Sequence, residues 1–224
     1  MSKLTIERND KQRQVDWAAD RLGKFTASQF YRLMTEPRSK ADKEAGKLSS
    51  GAMTYVMECV AEHLTGKPAK EEFDSKATAW GNENEPLAKA IYEAVFECRV
   101  DYSGFIEHTE RVGGSPDGLV GEDGGVEFKC PFTITSHRTH MLFTSPADLK
   151  SEKPDYYWQC LGVMLITGRQ WIDFVSYQPH FPAKHQVKRL TIHRDAVEED
   201  IAALTAKLDR AEEEFNSLLN LIQQ

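Results

Sequence analysis

Ser115-Pro116-Asp117-Gly118 and Val126-Glu127-Phe128-Lys129 flank Leu119-Val120 and the turn composition Gly121-Glu122-Asp123-Gly124-Gly125. Short apolar runs on either side of a Gly- and Asp-rich turn predict a β-hairpin, with Pro131 ending its second strand. Side chains alternate along a strand, so Glu127 and Lys129 share one face and Phe128 points to the core. Asp117 enters from the partner strand near the same spot, so two carboxylates and an ammonium converge. Two carboxylates with a backbone carbonyl and waters suit a hard cation such as Mg²⁺ or Mn²⁺. Neither cysteines nor histidines are spaced here as zinc ligands. The same letters also fit an ordinary exposed hairpin, because Pro-Asp-Gly is a common turn and Glu-x-Lys is often a solvated face.

Downstream of the hairpin, residues 134–153 read as a short helix followed by a loop. Tyr156–Thr167 reads as a helix stopped by Gly168, and Trp171–Tyr177 and Gln186–His193 as strands, the first apolar enough to be central. About Asp195–Ile222 forms a last helix with Ile201, Leu204, Leu208, Ala211, Phe215, Leu218 and Ile222 on one stripe. That stripe suits packing on its own subunit or against another.

Upstream, Val100–Tyr102 and Gly104–Glu107 are short strand candidates, and Gly113-Gly114 reads as a break. A helix is expected over about Asn82–Phe96, with Pro86 tolerated only in its first turn. Ser49 or Ser50 caps a helix carrying Met53, Val56, Met57, Val60, Ala61 and Leu64, ended by Gly66. Residues 67–76 read as a charged connection and 38–48 as a mobile loop. Trp17, Ala18, Arg21 and Leu22 begin a set of short helices across residues 15–35. The order describes an α/β (α+β) fold in one domain, 1–224: a helical N-terminal segment over residues 1–98, a sheet core over 99–194 and a C-terminal helix over 195–222.

The 224 residues carry a net charge of −7, which argues on its face against a nucleic-acid partner. The average hides a gradient: residues 1–70 hold 13 Lys+Arg against 9 Asp+Glu, and residues 195–214 hold 2 against 8. Local fields steer ligands, so a basic face from the N-terminal third is compatible with DNA. No apolar run approaches the ~20 residues of a membrane helix, so no membrane partner is expected. Cysteines 59, 98, 130 and 160 form no CxxC pair, and the first residues lack a secretory signal; both favour a cytoplasmic location.

The hairpin resembles the PD-(D/E)xK nuclease signature. Its surroundings resemble one branch, the phage-lambda exonuclease and viral alkaline exonuclease family. The resemblance runs through Trp17, Arg21-Leu22-Gly23, Thr26-Ala27-Ser28, Ala79-Trp80-Gly81 to Glu85, Ser115-Pro116-Asp117-Gly118, Glu127-Phe128-Lys129-Cys130-Pro131-Phe132 and Tyr157-Trp158-Gln159. It implies a restriction-endonuclease-like core, a central mixed sheet flanked by helices. It further implies Asp117, Glu127 and the Phe128 carbonyl as Mg²⁺ ligands, Mn²⁺ being a possible substitute. Lys129 is then the residue that activates or orients the attacking water, and Glu85 a further active-site acid. Arg21, Ser28 and Gln159 match the family's pocket for a 5′-phosphate. Two departures stand out: Leu161 occupies the position of a second family glutamine, and Pro86 directly follows Glu85.

The resemblance implies a Mg²⁺-dependent 5′→3′ exonuclease on linear double-stranded DNA with 5′-phosphorylated ends. It would release 5′-mononucleotides and leave 3′ tails for strand annealing. A homotrimeric ring and a single-strand annealing protein are the implied partners. An endonuclease of the same signature, restriction or junction-resolving, and a non-catalytic DNA-end-binding protein remain the alternatives. Met53 and Ala79 lie where an apolar wedge could open the terminal base pair. His63 reads as a helix C-terminal dipole partner. Histidines 108, 137, 140, 180, 185 and 193 read as surface or hydrogen-bonded residues, with His137 and His140 the two candidates for a DNA contact.

Overall fold

The hairpin forms the middle of a five-stranded mixed sheet. In a computed structural model, which describes residues 20–70 and 75–223, β5 (Gly118–Val120) pairs antiparallel with β6 (Gly124–Lys129), with Gly118 opposite Val126. The turn is tighter than expected, because Gly124 and Gly125 join the strand. A Cβ on Gly124 would run into the Trp171 ring, so only glycine allows that approach. Beyond β6 come β7 (Trp171–Tyr177), parallel to it, and β8 (Val187–His193), antiparallel to β7; β2 (Val100–Asp101) flanks β5. The strand predicted to be central thus has neighbours on both sides.

A parallel pair requires a long crossover. Here it consists of three helices: α4 (Ile134–Met141), α5 (Pro146–Glu152) and α6 (Pro154–Thr167), the last ended by Gly168 at φ +70°. The expected loop within 134–153 is therefore a second helix. Ser145 and Asp148 form a capping box with Pro146 at its start, a local signal that outweighs the missing apolar periodicity.

A small second sheet runs β1 (Phe25–Thr26), β4 (Val112–Gly114), β3 (Ile106–Glu107). The Gly113-Gly114 break is therefore a strand. A Cβ on Gly113 would meet the Phe105 ring at 2.5 Å, and one on Gly114 would meet the Ala27 Cβ at 2.9 Å. These glycines serve the close approach of the Phe105 ring and of the Ala27 turn rather than a chain reversal.

The expected helix at 82–96 starts earlier, as α3 (Lys76–Phe96). Ser75 caps it through the Thr78 N–H at 3.0 Å. Pro86 therefore sits in the helix interior, not its first turn, and removes one helical hydrogen bond, to the Asn82 carbonyl. Residues 38–48 are not all loop either: Ser39 caps α1 (Lys40–Glu44). The helix expected after Ser49 is α2 (Ser50–Thr65), with Ser49 as cap and Gly66 at φ +64°. Trp17, Ala18 and some of the 67–76 connection lie outside the described residues. Within 20–35, a 3-10 turn over Ala27–Arg32 takes the place of an α-helix.

Two cores sandwich the large sheet. On one face Ala88 and Tyr92 of α3 pack with Val126, Phe128, Val175 and Tyr177. On the other, Ile172, Phe174, Leu190 and Ile192 meet α2, α6 and the last helix, α7 (Glu198–Ile222). The α7 stripe from Ile201 to Phe215 is buried within its own chain, while Leu221 and Ile222 stay exposed. His63 lies in the last turn of α2, where a dipole partner belongs, and its ring meets Phe215 edge-on at 5.6 Å.

His137 and His140 are fully buried beneath the sheet, which removes them as DNA contacts. The His185 carbonyl accepts from His137 Nε2 at 2.8 Å, so His137 Nδ1 accepts from Ser176 Oγ at 2.9 Å. Ser176 Oγ in turn accepts from His140 Nδ1 at 2.8 Å, leaving His140 Nε2 buried without a partner. Burial, reinforced by Lys153, His137 and Lys129, pushes the His140 imidazole down to about 4. The unfolded chain therefore takes up this proton first, and the His140 contribution to stability is lost as pH drops from about 6.5 towards 4. The expected loss between about pH 7 and pH 5 is about 2 kcal/mol from His140. Urea denaturation of the wild type beside His140→Asn, whose amide can still donate to Ser176, isolates it: the stability of the wild type relative to the variant is expected to fall by that amount between the two pH values.

Candidate active site

The end of β6 builds the site. Phe128 turns into the α3 core, which sends Glu127 and Lys129 to the opposite face beneath α6. Asp117 stands one residue before β5, and its Oδ2 accepts the Phe128 N–H at 2.8 Å. Asp117 is thus fastened across the hairpin beside Glu127, as the pairing predicts. Lys129 Nζ donates to Glu127 Oε1 at 2.6 Å and to Gln159 Oε1 at 3.0 Å, and Gln159 Nε2 donates to the same Glu127 oxygen. The Tyr156 ring, one helical turn before Gln159, lies 5.1 Å from the ammonium.

The electrostatics are those of a site with too many acids for its surroundings. Glu127 is fully buried, and its Oε2 has no hydrogen-bond partner. Burial, then the Asp117 charge, holds its carboxyl well above the ordinary carboxylate range, at about 8. Glu85 is raised to about 7 by burial and the same Asp117 charge. Burial alone would lower the Lys129 pKa, but Glu127 and Asp117 outweigh it and hold the amine above its usual value. A divalent cation would answer each of these features. The orphaned Glu127 oxygen and Asp117, with the Phe128 carbonyl that the resemblance implies, would offer an all-oxygen donor set of the kind Mg²⁺ shares with several waters. Among the described residues no three His, Cys, Asp or Glu side chains form a metal cluster. A protein site here would rest on two carboxylates.

Glu85 lies in the third turn of α3, so its carboxylate is not a helix-start group. It lines a cleft of about 220 Å³ with Thr78, Asn82, Lys129, Pro131 and Tyr156. Exposed Ala79 adjoins Thr78 there, while Met53 packs against the core from α2.

The three residues expected to hold a phosphate divide between two places. Arg21 donates to Ser28 Oγ at 3.0 Å, and both line a separate pocket of about 450 Å³. Gln159 does not line it; α6 turns that side chain onto Lys129 and Glu127 instead. The same pocket holds Lys24, Arg32 and Lys70, cations that sequence reasoning leaves unassigned because they come from three segments. Ser115, quoted above only as part of the motif, has its Oγ buried without a partner two residues before Asp117. Tyr156 is missed as well; its place three residues before Gln159, on one helix face, is the signal that points to it.

The YqaJ-like viral recombinase domain family matches residues 16–170. The crystal structure of an alkaline exonuclease, LHK-Exo, from Laribacter hongkongensis aligns with a TM-score of 0.71 at 33% identity, covering 93% of this chain and 97% of that one. The LHK-Exo complex with dAMP aligns equally well, at 34% identity. A phage related exonuclease from Haemophilus somnus 129PT gives a TM-score of 0.70 at 26% identity, over 89% of this chain and 96% of that one. No curated protein matches the sequence.

Proposed function

The chain belongs to the YqaJ-like viral recombinase domain family, within the phage-type recombination exonucleases, and from that premise we propose a metal-dependent exonuclease that degrades linear double-stranded DNA from 5′-phosphorylated ends. The observation that carries the reading is the convergence of Asp117, Glu127 and Lys129 at the hairpin, with one Glu127 oxygen bound by Lys129 and the other buried without a partner. Asp117, Glu127 and the Phe128 carbonyl would hold Mg²⁺, or Mn²⁺ in its stead. When bound, the cation supplies a water of lowered pKa and offsets charge on the phosphoryl oxygens.

The rest belongs to the side chains. Lys129, kept as an ammonium by two carboxylates, orients the attacking water and faces the developing negative charge. Gln159 fixes both Lys129 and Glu127, which limits their motion during the step. Glu85 stands in the cleft to orient water or exchange a proton. The water oxygen gives up a proton and joins phosphorus, the P–O3′ bond breaks, and the departing O3′ takes up a proton from solvent to leave as a 3′-hydroxyl. A 5′-mononucleotide departs, and the shortened strand again ends in a 5′-phosphate. Arg21 and Ser28 hold that phosphate, which sets the register of the next cut.

The net charge of −7 is compatible with DNA because cations gather in one pocket. A homotrimeric ring around the duplex and a single-strand annealing protein taking up the 3′ tails complete the reading, in a cytoplasmic setting. No described helix is long and apolar enough to cross a membrane.

The test is digestion of linear duplex labelled at one 5′-phosphorylated end, with Mg²⁺ and with chelator, beside a covalently closed circle. Expected are labelled mononucleotides from the linear DNA only with the cation, and an intact circle. Cutting of the circle would favour an endonuclease, and an unaltered linear duplex in Mg²⁺ a binding protein.

A further inference from the structure

The basic pocket contains an acid with no role in the chemistry above. Glu62 of α2 accepts the Gly23 N–H on Oε2 at 3.1 Å and the Ala69 N–H on Oε1 at 3.0 Å. Gly23 belongs to the turn that presents Arg21, closed by the Lys24 N–H donating to the Arg21 carbonyl at 3.1 Å. Ala69 lines the same pocket from the segment after α2. One carboxylate therefore ties both segments to α2.

The turn is seated on that helix as well as tied to it. Gly23 has φ +69°, and a Cβ there would lie 2.9 Å from the His63 Cβ and 3.0 Å from the His63 Cα and N. No side chain fits between the turn and the helix backbone. The height of the Arg21 backbone above α2 is set by this contact and by the Glu62 hydrogen bond together.

We infer that Glu62 is the positioning residue of the phosphate pocket: it fixes the Arg21 turn so that the guanidinium and the Ser28 hydroxyl face one terminal phosphate. The inference rests on the assignment of Arg21 and Ser28 to the 5′-phosphate. A carboxylate is needed because the two backbone donors fall on different oxygens. An amide offers one acceptor and turns an N–H against the other donor.

The experiment compares kcat/KM on linear duplexes ending in 5′-phosphate and in 5′-hydroxyl, for the full chain, E62A, E62Q and Gly23→Ala. E62A is expected to lower the phosphate-over-hydroxyl ratio about tenfold, through KM for the phosphate end, because a small misplacement of a binding group is costly. E62Q is expected to lose less, and Gly23→Ala to reproduce the loss. E62A and E62Q both keeping the wild-type ratio would overturn the inference, as would losses equal on both ends. A wild type with no preference for phosphate would overturn the pocket assignment and this inference together.

Discussion

Lys129→Ala is expected to lower kcat on 5′-phosphorylated linear duplex by about 10³-fold, the scale of removing a fixed charge from a developing oxyanion. The ammonium is held by Glu127 at 2.6 Å and by Gln159 at 3.0 Å, with the Tyr156 ring beside it. Its position is therefore set before substrate arrives, and no reorganisation is required in the transition state. Truncation also takes one of two donors from Glu127 Oε1. Lys129→Met, which keeps most of the side-chain volume, separates lost charge from lost packing and is expected to be as slow as Lys129→Ala. Single-turnover digestion in Mg²⁺ is the measurement. A rate within about threefold of wild type for either variant would remove Lys129 from the chemistry.

Arg21→Ala is expected to reduce the preference for a 5′-phosphate over a 5′-hydroxyl by about 100-fold, the worth of roughly 3 kcal/mol for a charge-assisted contact. Arg21 and Ser28 are hydrogen-bonded to one another within a pocket that also carries Lys24, Arg32 and Lys70. Glu58 occupies two of those cations, pairing with Arg32 and Lys70 at 2.7 Å each. Digestion of matched duplexes with the two ends measures the change. The effect should fall on KM and spare the rate on the hydroxyl end relative to Lys129→Ala, since Arg21 lines a different pocket from Glu85 and Lys129. Equal digestion of both ends by the wild type would remove the assignment.

Legibility followed the range of the forces involved. The hairpin, the caps at Ser49 and Gly168, and the α7 stripe are local patterns, and each lies where its residues predict. The convergence of Asp117 with Glu127 and Lys129 was legible too, because strand alternation and a short turn leave few arrangements. Gly113-Gly114 misleads because its reason for being glycine is the Phe105 ring and Ala27, partners outside its own segment. Pro86 marks a helix start by its own preference, yet the Ser75 cap begins α3 earlier and the helix continues through it. Gln159 can be placed on a helix but not aimed; which wall of the site it faces depends on how α6 crosses β6. The Glu62 tie is invisible for the same reason, since it joins residues 23, 62 and 69 through backbone N–H groups that every sequence possesses.

The most direct measurement of the site is Mn²⁺ binding by calorimetry, on the wild type and on Asp117→Asn and Glu127→Gln, with thermal melting to verify that each is folded. One carboxylate lost from a two-carboxylate set is expected to weaken binding at least about tenfold in either variant, while Lys129→Met retains the ion. Folded Asp117→Asn and Glu127→Gln proteins that bind Mn²⁺ as tightly as the wild type would contradict the assignment of these two acids, and with it the proposed nuclease centre.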